Sequence, residues 1–446
     1  MRRIVILVLL LVGMRLVLLV GAPGAGGLPL LVFGFLILAA YSVGELASRA
    51  GLPKIVGYLA AGLVCGSSAL DLVPVEAVHE LGPVSDLAIA LIAFLAGAEL
   101  EWSELRQRGI ALLKLTATEL AVTFLAMVLL LTLLQEFVPF LQGQALTVVL
   151  TFAAVFASIV IIHSPAVTMA LLSETRASGP VARTTLSVVL VADVIVVLVF
   201  SSTLAVARAI VPGDGSEAAS FGIMVWEVLG SIPIGALLGG VVALYLRFVR
   251  EELMLFAVLV AIFGLELARL LHVEVLLTLL LTGFVMENIA PRGMGGELRH
   301  AMERAAAPIF VVFFALAGAK LDLAELLRLW PLVIPIVLVR AGAIMVGTRV
   351  GGRLAGVPRE QTRLLWMGLV SQAGVAIGLV TVAGVVYPVA GGDMRALLLA
   401  VIAINETLGP ILFRRALARS GELVPGETAA PAAAEGQPGR AVVAGG

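Results

Sequence analysis

Asp193 stands in Val191-Ala192-Asp193-Val194-Ile195, with no other charged residue between Arg183 and Arg208. A carboxylate in so apolar a setting takes up either a proton or a metal cation, because each neutralises a charge that burial disfavours. One group that holds either ligand, but not both, couples their movements. Glu119, Arg340 and Glu406 are similarly isolated within long apolar runs. A charge at the bilayer centre costs about 2.5–3.5 kcal/mol on insertion scales, so such residues face a bundle interior, paired or functional. Arginine keeps its charge under ordinary conditions and is a poor proton carrier. Arg340 is therefore a counter-ion or gating candidate, together with Glu119, Glu406 and its neighbour Asn405. The expectation is that Glu119 or Asp193 pairs with Arg340. The competing role for each of these charges is a fixed ion pair holding helices together.

Helix-breaking chemistry occurs in two of the long runs. In Ile162-His163-Ser164-Pro165-Ala166, Pro165 lacks a backbone donor and disfavours helix at Ser164. That frees carbonyls in mid-membrane, where irregular backbone is tolerated if it lines a cavity. Val370-Ser371-Gln372-Ala373-Gly374 brings a polar pair and a glycine to a similar depth in the other half. Ser164 and His163 join Asp193 as cation- or proton-binding candidates, with Pro165, Gln372 and Gly374 marking the breaks. For His163 a hydrogen-bonded structural role competes with ligation. The chain holds no HExxH motif, nucleophile elbow or acidic cluster set for metal-assisted chemistry, so neither an enzyme nor a cofactor is expected. Its single cysteine, Cys65, permits no internal disulfide.

The elements that must position these residues follow from composition. Of 446 residues 61% are hydrophobic and 13% charged, with mean hydropathy +1.13. Soluble domains carry about 25% charge, so a water-soluble globule is excluded and lipid is the solvent. Net charge −1 leaves no bulk-charge case for nucleic-acid binding. Apolar runs near 20 residues long predict an all-α polytopic protein. They lie at 28–47, 54–73, 83–101, 109–138, 145–173, 181–207, 222–246, 252–271, 273–290, 303–320, 328–353, 361–388 and 394–418, making thirteen core transmembrane helices. Residues 1–27 form a separate hydrophobic segment, an extra helix or a signal peptide, since Arg15 interrupts its apolar run. Residues 28–418 are then the transmembrane domain. Residues 419–446, rich in Ala, Gly and Pro towards their end, are expected to be a disordered tail.

Basic residues are strongly sided. Connectors after odd-numbered core helices hold sixteen Lys and Arg, and those after even-numbered ones hold five. The positive-inside rule puts the first set, and with it the C-terminal tail, in the cytoplasm. The chain also repeats itself. Leu95-Ala-Gly-Ala-Glu-Leu-Glu-Trp-Ser-Glu-Leu and Leu316-Ala-Gly-Ala-Lys-Leu-Asp-Leu-Ala-Glu-Leu agree at seven of eleven positions, offset by 221. The same offset carries Gly62-Leu-Val onto Gly283-Phe-Val and Glu119 onto Arg340. It spans seven helices, an odd number, so the copies run in opposite directions through the membrane. An inverted-topology repeat is the signature of alternating access.

These features carry a resemblance. Leu52-Pro-Lys-Ile-Val-Gly-Tyr-Leu-Ala-Ala-Gly62, Phe94-Leu-Ala-Gly-Ala-Glu-Leu100, Phe313-Phe-Ala-Leu-Ala-Gly318 and Asn405-Glu-Thr-Leu-Gly-Pro410 resemble motifs of the monovalent cation:proton antiporter superfamily. The nearest branch is the sodium/proton and potassium/proton exchangers, and the match runs over about residues 28–417. The resemblance implies a homodimer in the cell inner (plasma) membrane. It implies Asp193 as the essential aspartate, two broken crossing helices, Arg340 as the basic residue of helix 11, and elevator-type exchange of Na+ or K+ for H+. A single aspartate with an arginine implies electroneutral transport. Ala192 departs from the family, which usually places Asn, Asp or Gln before its aspartate. A sodium-coupled symporter of an organic anion on a related inverted-repeat fold is the alternative function.

Overall fold

The computed structural model describes residues 2–20, 27–100, 102–138, 141–210, 217–249, 251–291, 294–321, 323–372, 379 and 391–423. Among the described residues the regular elements are helical throughout. In chain order they are α1 (Arg2–Val20), α2 (Gly27–Arg49), α3 (Lys54–Cys65), α4 (Val75–Glu80), α5 (Gly82–Ala98) and α6 (Trp102–Leu133). Then come α7 (Leu146–Val160), α8 (Pro165–Thr175), α9 (Pro180–Ile210), α10 (Glu217–Phe248), α11 (Leu253–Leu270) and α12 (Val275–Ile289). The last four are α13 (Met294–Ala319), α14 (Leu323–Ala355), α15 (Arg359–Gly368) and α16 (Gly391–Ser420).

Ten stretches are long and apolar enough to cross a membrane, two of them helix pairs: α4 with α5, and α7 with α8. Shorter apolar helices occur at Ile6–Leu19, Lys54–Cys65 and Val275–Ile289. The helix expected over 54–73 stops at Cys65. Beyond Gly66 the chain turns back, and the N–H groups of Leu72 and Val73 both donate to the Cys65 carbonyl at 2.9 Å. Gly66, Ser67, Ser68 and Asp71 are the small and polar residues that such a turn favours. Of the run expected over 361–388, residues 373–378 and 380–388, including Gly374, lie outside the described residues.

Side chains gather into two main buried clusters. One joins α2–α5 to α11–α13, and the other joins α6, α7, α9, α14 and α16. In the first, helices touch through glycine. A Cβ on Gly62 of α3 would overlap the Ala315 carbonyl of α13, and one on Gly318 of α13 would overlap the Leu59 carbonyl of α3. Gly97 of α5 and Gly283 of α12 stand in the same relation, against the carbonyls of Leu280 and Phe94. Lipid tails are as apolar as Leu, so membrane helices associate largely by van der Waals packing, which small residues bring to backbone distance. In the second cluster α6 and α14 run antiparallel, with Gly347 against Glu119 and Gly351 against Leu115.

Candidate functional site

The site begins with two interruptions in the second cluster. α7 ends at Val160, residues 161–164 leave the helix, and α8 restarts with Pro165 in its first turn. Ser164 caps that start, its Oγ accepting from the Val167 N–H at 3.1 Å. Proline is well placed there because the first N–H groups of a helix have no partner within it. α15 ends at Gly368, and residues 369–372 are likewise irregular. The two breaks touch: the Ser164 N–H donates to the Ser371 carbonyl at 3.0 Å.

Carbonyls freed at both breaks need donors, and Arg340 of α14 supplies three. Its Nε donates to Val160 O at 2.6 Å, Nη1 to Val370 O at 2.6 Å and Nη2 to Ile162 O at 2.8 Å. Gln372 Nε2 adds a bond to Val160 O at 2.8 Å, and Asn405 Nδ2 of α16 donates to Gln372 Oε1 at 2.8 Å. Glu119 of α6 instead meets His163, Oε2 to Nε2 at 3.0 Å, while its Oε1 accepts from Thr123 Oγ1 at 2.9 Å. His163 Nδ1 lies 2.7 Å from Leu369 O. All these side chains are buried.

The expected pairing of Arg340 with Glu119 or Asp193 is thereby corrected: among the described residues Arg340 forms no ion pair. Helix register explains it. On α14 Gly347 faces Glu119, and Arg340 lies seven residues further along, about 10 Å at 1.5 Å per residue. Ordered carbonyls at the breaks are nearer than any carboxylate, and His163 has already engaged Glu119.

Asp193 sits on α9, partly buried, behind the fully buried Ala192. Its Oδ2 is shielded from solvent and has no hydrogen-bond partner among the described residues. Glu274, just before α12, accepts from the Leu277 N–H and so caps that helix. Glu406 is buried on α16, and among the described residues no hydrogen bond joins it to the cluster around Gln372. The structure thus brings together Glu119, His163, Ser164, Pro165, Arg340, Gln372 and Asn405. Asp193 and Glu406 stand outside that hydrogen-bonded cluster.

A cavity of 790 Å³ is lined by the ends of α5, α8 and α12 and the starts of α9 and α13. Ser187 on its wall precedes Asp193 by six residues on α9, about 9 Å along the axis. Arg176, Arg183, Arg299, His300 and Arg304 share the lining with Glu99, Glu287 and Glu303. Glu99 pairs with Arg299 at 3.3 Å; burial pushes its carboxyl above the ordinary range, and the guanidinium offsets part of that. Sequence reasoning missed the backbone acceptors Val160, Ile162, Leu369 and Val370, as well as Thr123. Pro165 signalled that carbonyls would be freed, but nothing in the sequence named their donors. It also missed Glu422, whose carboxylate takes the Val181 and Ala182 N–H groups at 2.8 Å and so caps the helix bearing Asp193.

The family model described as sodium/hydrogen exchanger, transmembrane, matches residues 5–418. Among solved structures, the chain is similar to the sodium proton antiporter MjNhaP1 from Methanocaldococcus jannaschii at pH 8. The TM-score is 0.63 at 16% identity, covering 87% of this chain and 95% of that one. A second structure of the same antiporter, from electron microscopy, gives a TM-score of 0.63 at 16% identity over 89% and 98% of the two chains. At that identity the likeness is one of fold.

Proposed function

The chain belongs to the sodium/hydrogen exchanger family, and from that premise we propose that it exchanges Na+ or K+ for H+ at Asp193. Membership in a transporter family makes it a multi-pass membrane protein and a transporter, not an enzyme. The observation that carries the reading is the Asp193 carboxylate itself. Its Oδ2 is shielded, without a hydrogen-bond partner among the described residues, on a helix that lines the cavity lower down. Arg340, the cation that would otherwise neutralise it, is committed to three carbonyls. Asp193 therefore remains available to a mobile cation or a proton, and one carboxylate taking one of either makes the exchange one-for-one and electroneutral.

The moving parts follow from the two clusters. Glycine contacts between α3 and α13 and between α5 and α12 are reciprocal under the 221-residue offset: Gly62 corresponds to Gly283, and Gly97 to Gly318. That reciprocity supports an inverted repeat within thirteen core helices. The glycine-packed helices serve as the scaffold of a homodimer, and the broken-helix cluster carries Asp193 past them, elevator fashion. The cavity opens among connectors rich in Arg, which supports a cytoplasmic mouth in the inner (plasma) membrane, with the C-terminus on the same side.

Proteoliposomes provide the test. Na+, K+ or Li+ added outside should dissipate an imposed pH gradient, with the same rate whether or not the membrane potential is clamped. Asp193→Asn should abolish the response to every cation. Exchange retained by that variant overturns the assignment.

A further inference from the structure

The hydrogen bonds around His163 fix how many protons the site holds. A carbonyl oxygen only accepts, so the 2.7 Å contact with Leu369 O requires a proton on Nδ1. The other ring nitrogen then faces Glu119 Oε2 at 3.0 Å. Two arrangements satisfy that contact: an imidazolium donating to a carboxylate, or a carboxylic acid donating to a neutral ring. In both, one proton lies in the gap and the two side chains sum to zero charge. With no proton there, two lone pairs would face each other in a medium that penalises unmet polar groups. The second carboxylate oxygen is already occupied by Thr123.

The pair is also closed off. Both side chains have no exposure, and neither lines the cavity. Gly347 of α14 packs directly on the Glu119 backbone. Other buried ionisable groups on helices packed against α6 are engaged elsewhere or unpaired. Arg340 on α14 holds three carbonyls, and Asp193 on α9 makes no ion pair with His163.

We infer that Glu119 and His163 share a single sealed proton, forming a neutral buried pair that fastens α6 to both helix breaks and stays out of the ion exchange. Through Leu369 the pair reaches one break, and through His163 itself the other. It is a positioning device beside the carbonyls that Arg340 holds, and it contributes no proton to the transported count.

Histidine-selective 15N labelling tests this directly, because the chain has four histidines and the other three, His79, His272 and His300, are exposed. Their His→Gln variants assign the spectrum without touching the core. The expected His163 signature is a protonated Nδ1 and two protons that persist after transfer to D2O, at least about 100-fold longer than those of the exposed rings. An unprotonated Nδ1, or exchange as fast as in the exposed rings, overturns the inference. In Glu119→Gln the amide can donate to Nε2, so only the Nδ1 proton should remain on the ring and the shared one should be gone. Two protected ring protons in that variant count against the shared proton. A transport arm rests on the exchanger reading: the ratio of protons to cations should remain one-for-one in Glu119→Gln, whatever the rate. A changed ratio puts the pair's proton into the exchange, whereas the spectroscopic arm stands or falls independently of which ion is carried.

Discussion

Helices α3 and α13, like α5 and α12, meet backbone to backbone through Gly62, Gly318, Gly97 and Gly283. The two breaks, 161–164 and 369–372, meet through Arg340, Glu119, His163 and Gln372, all deeply buried. The difference follows from the state of the backbone. An unbroken helix satisfies its own N–H and C=O groups, so only shape is left to optimise, and glycine optimises it. A broken helix leaves carbonyls that lipid cannot satisfy, and the chain must supply donors. Arg340, Glu119 and His163 are thus placed where hydrogen-bonding capacity is missing.

Arg340→Leu is the harshest way to break that comparison. It leaves Val160, Ile162 and Val370 carbonyls short of a donor, each bond to a charged group contributing about 1.5–3 kcal/mol. The expected outcome is a loss of at least about 3 kcal/mol, read as a collapse of thermal stability in detergent, with Arg340→Lys intermediate. A variant that melts like the native protein would show that the carbonyls find other donors. On the glycine side, Gly62→Val and Gly283→Val should each cost about 1–3 kcal/mol by overpacking. Because the two contacts are reciprocal, their thermal shifts should match closely. Unequal shifts would break the equivalence of the two contacts, and with it the support they give to an inverted repeat.

How far the sequence reveals each region follows the same division. The glycine contacts were readable as a repeat because their pattern lies in residue types: the offset of 221 pairs Gly62 with Gly283 before any contact is known. Pro165 and Gln372 were readable as breaks because proline and buried amides have local consequences. Arg340's partners were not, since they are carbonyls of Val160, Ile162 and Val370, and a backbone acceptor has no side-chain signature. Register between α6 and α14 decided that Glu119 would meet His163, and register between distant helices is a property of packing. The turn at 66–73 carries its own signals in Gly66, Ser67, Ser68 and Asp71, and the apolar run that precedes them, read together with Leu70, Leu72 and Val73, outweighs them in a hydropathy window.

Glu422 sharpens the comparison at a helix end, where an unbroken helix also has unmet groups. Its carboxylate covers two N–H groups at the start of α9. Glu422→Ala should cost about 1 kcal/mol, the usual value of an N-cap, and Glu422→Gln less. Amide exchange at Val181 and Ala182 should quicken in Glu422→Ala, while amides near Asp193, some eight residues or more into the helix, should not change. Faster exchange near Asp193 would mean that the cap orders the whole of α9.

The smallest effect belongs to a charge that meets no backbone deficit. Arg269 of α11 bonds to Asp86 of α5 and to Glu266, with side chains 41%, 40% and 62% exposed. Partly solvated pairs like these contribute about 0–1 kcal/mol, and salt screens them. Asp86→Asn should therefore shift the melting temperature less than either glycine variant, and the shift should shrink further in high salt. Should Asp86→Asn instead cost as much as Gly62→Val, charge would be holding the glycine-packed helices as well. The division between complete helices joined by shape and broken helices joined by buried donors would then fail.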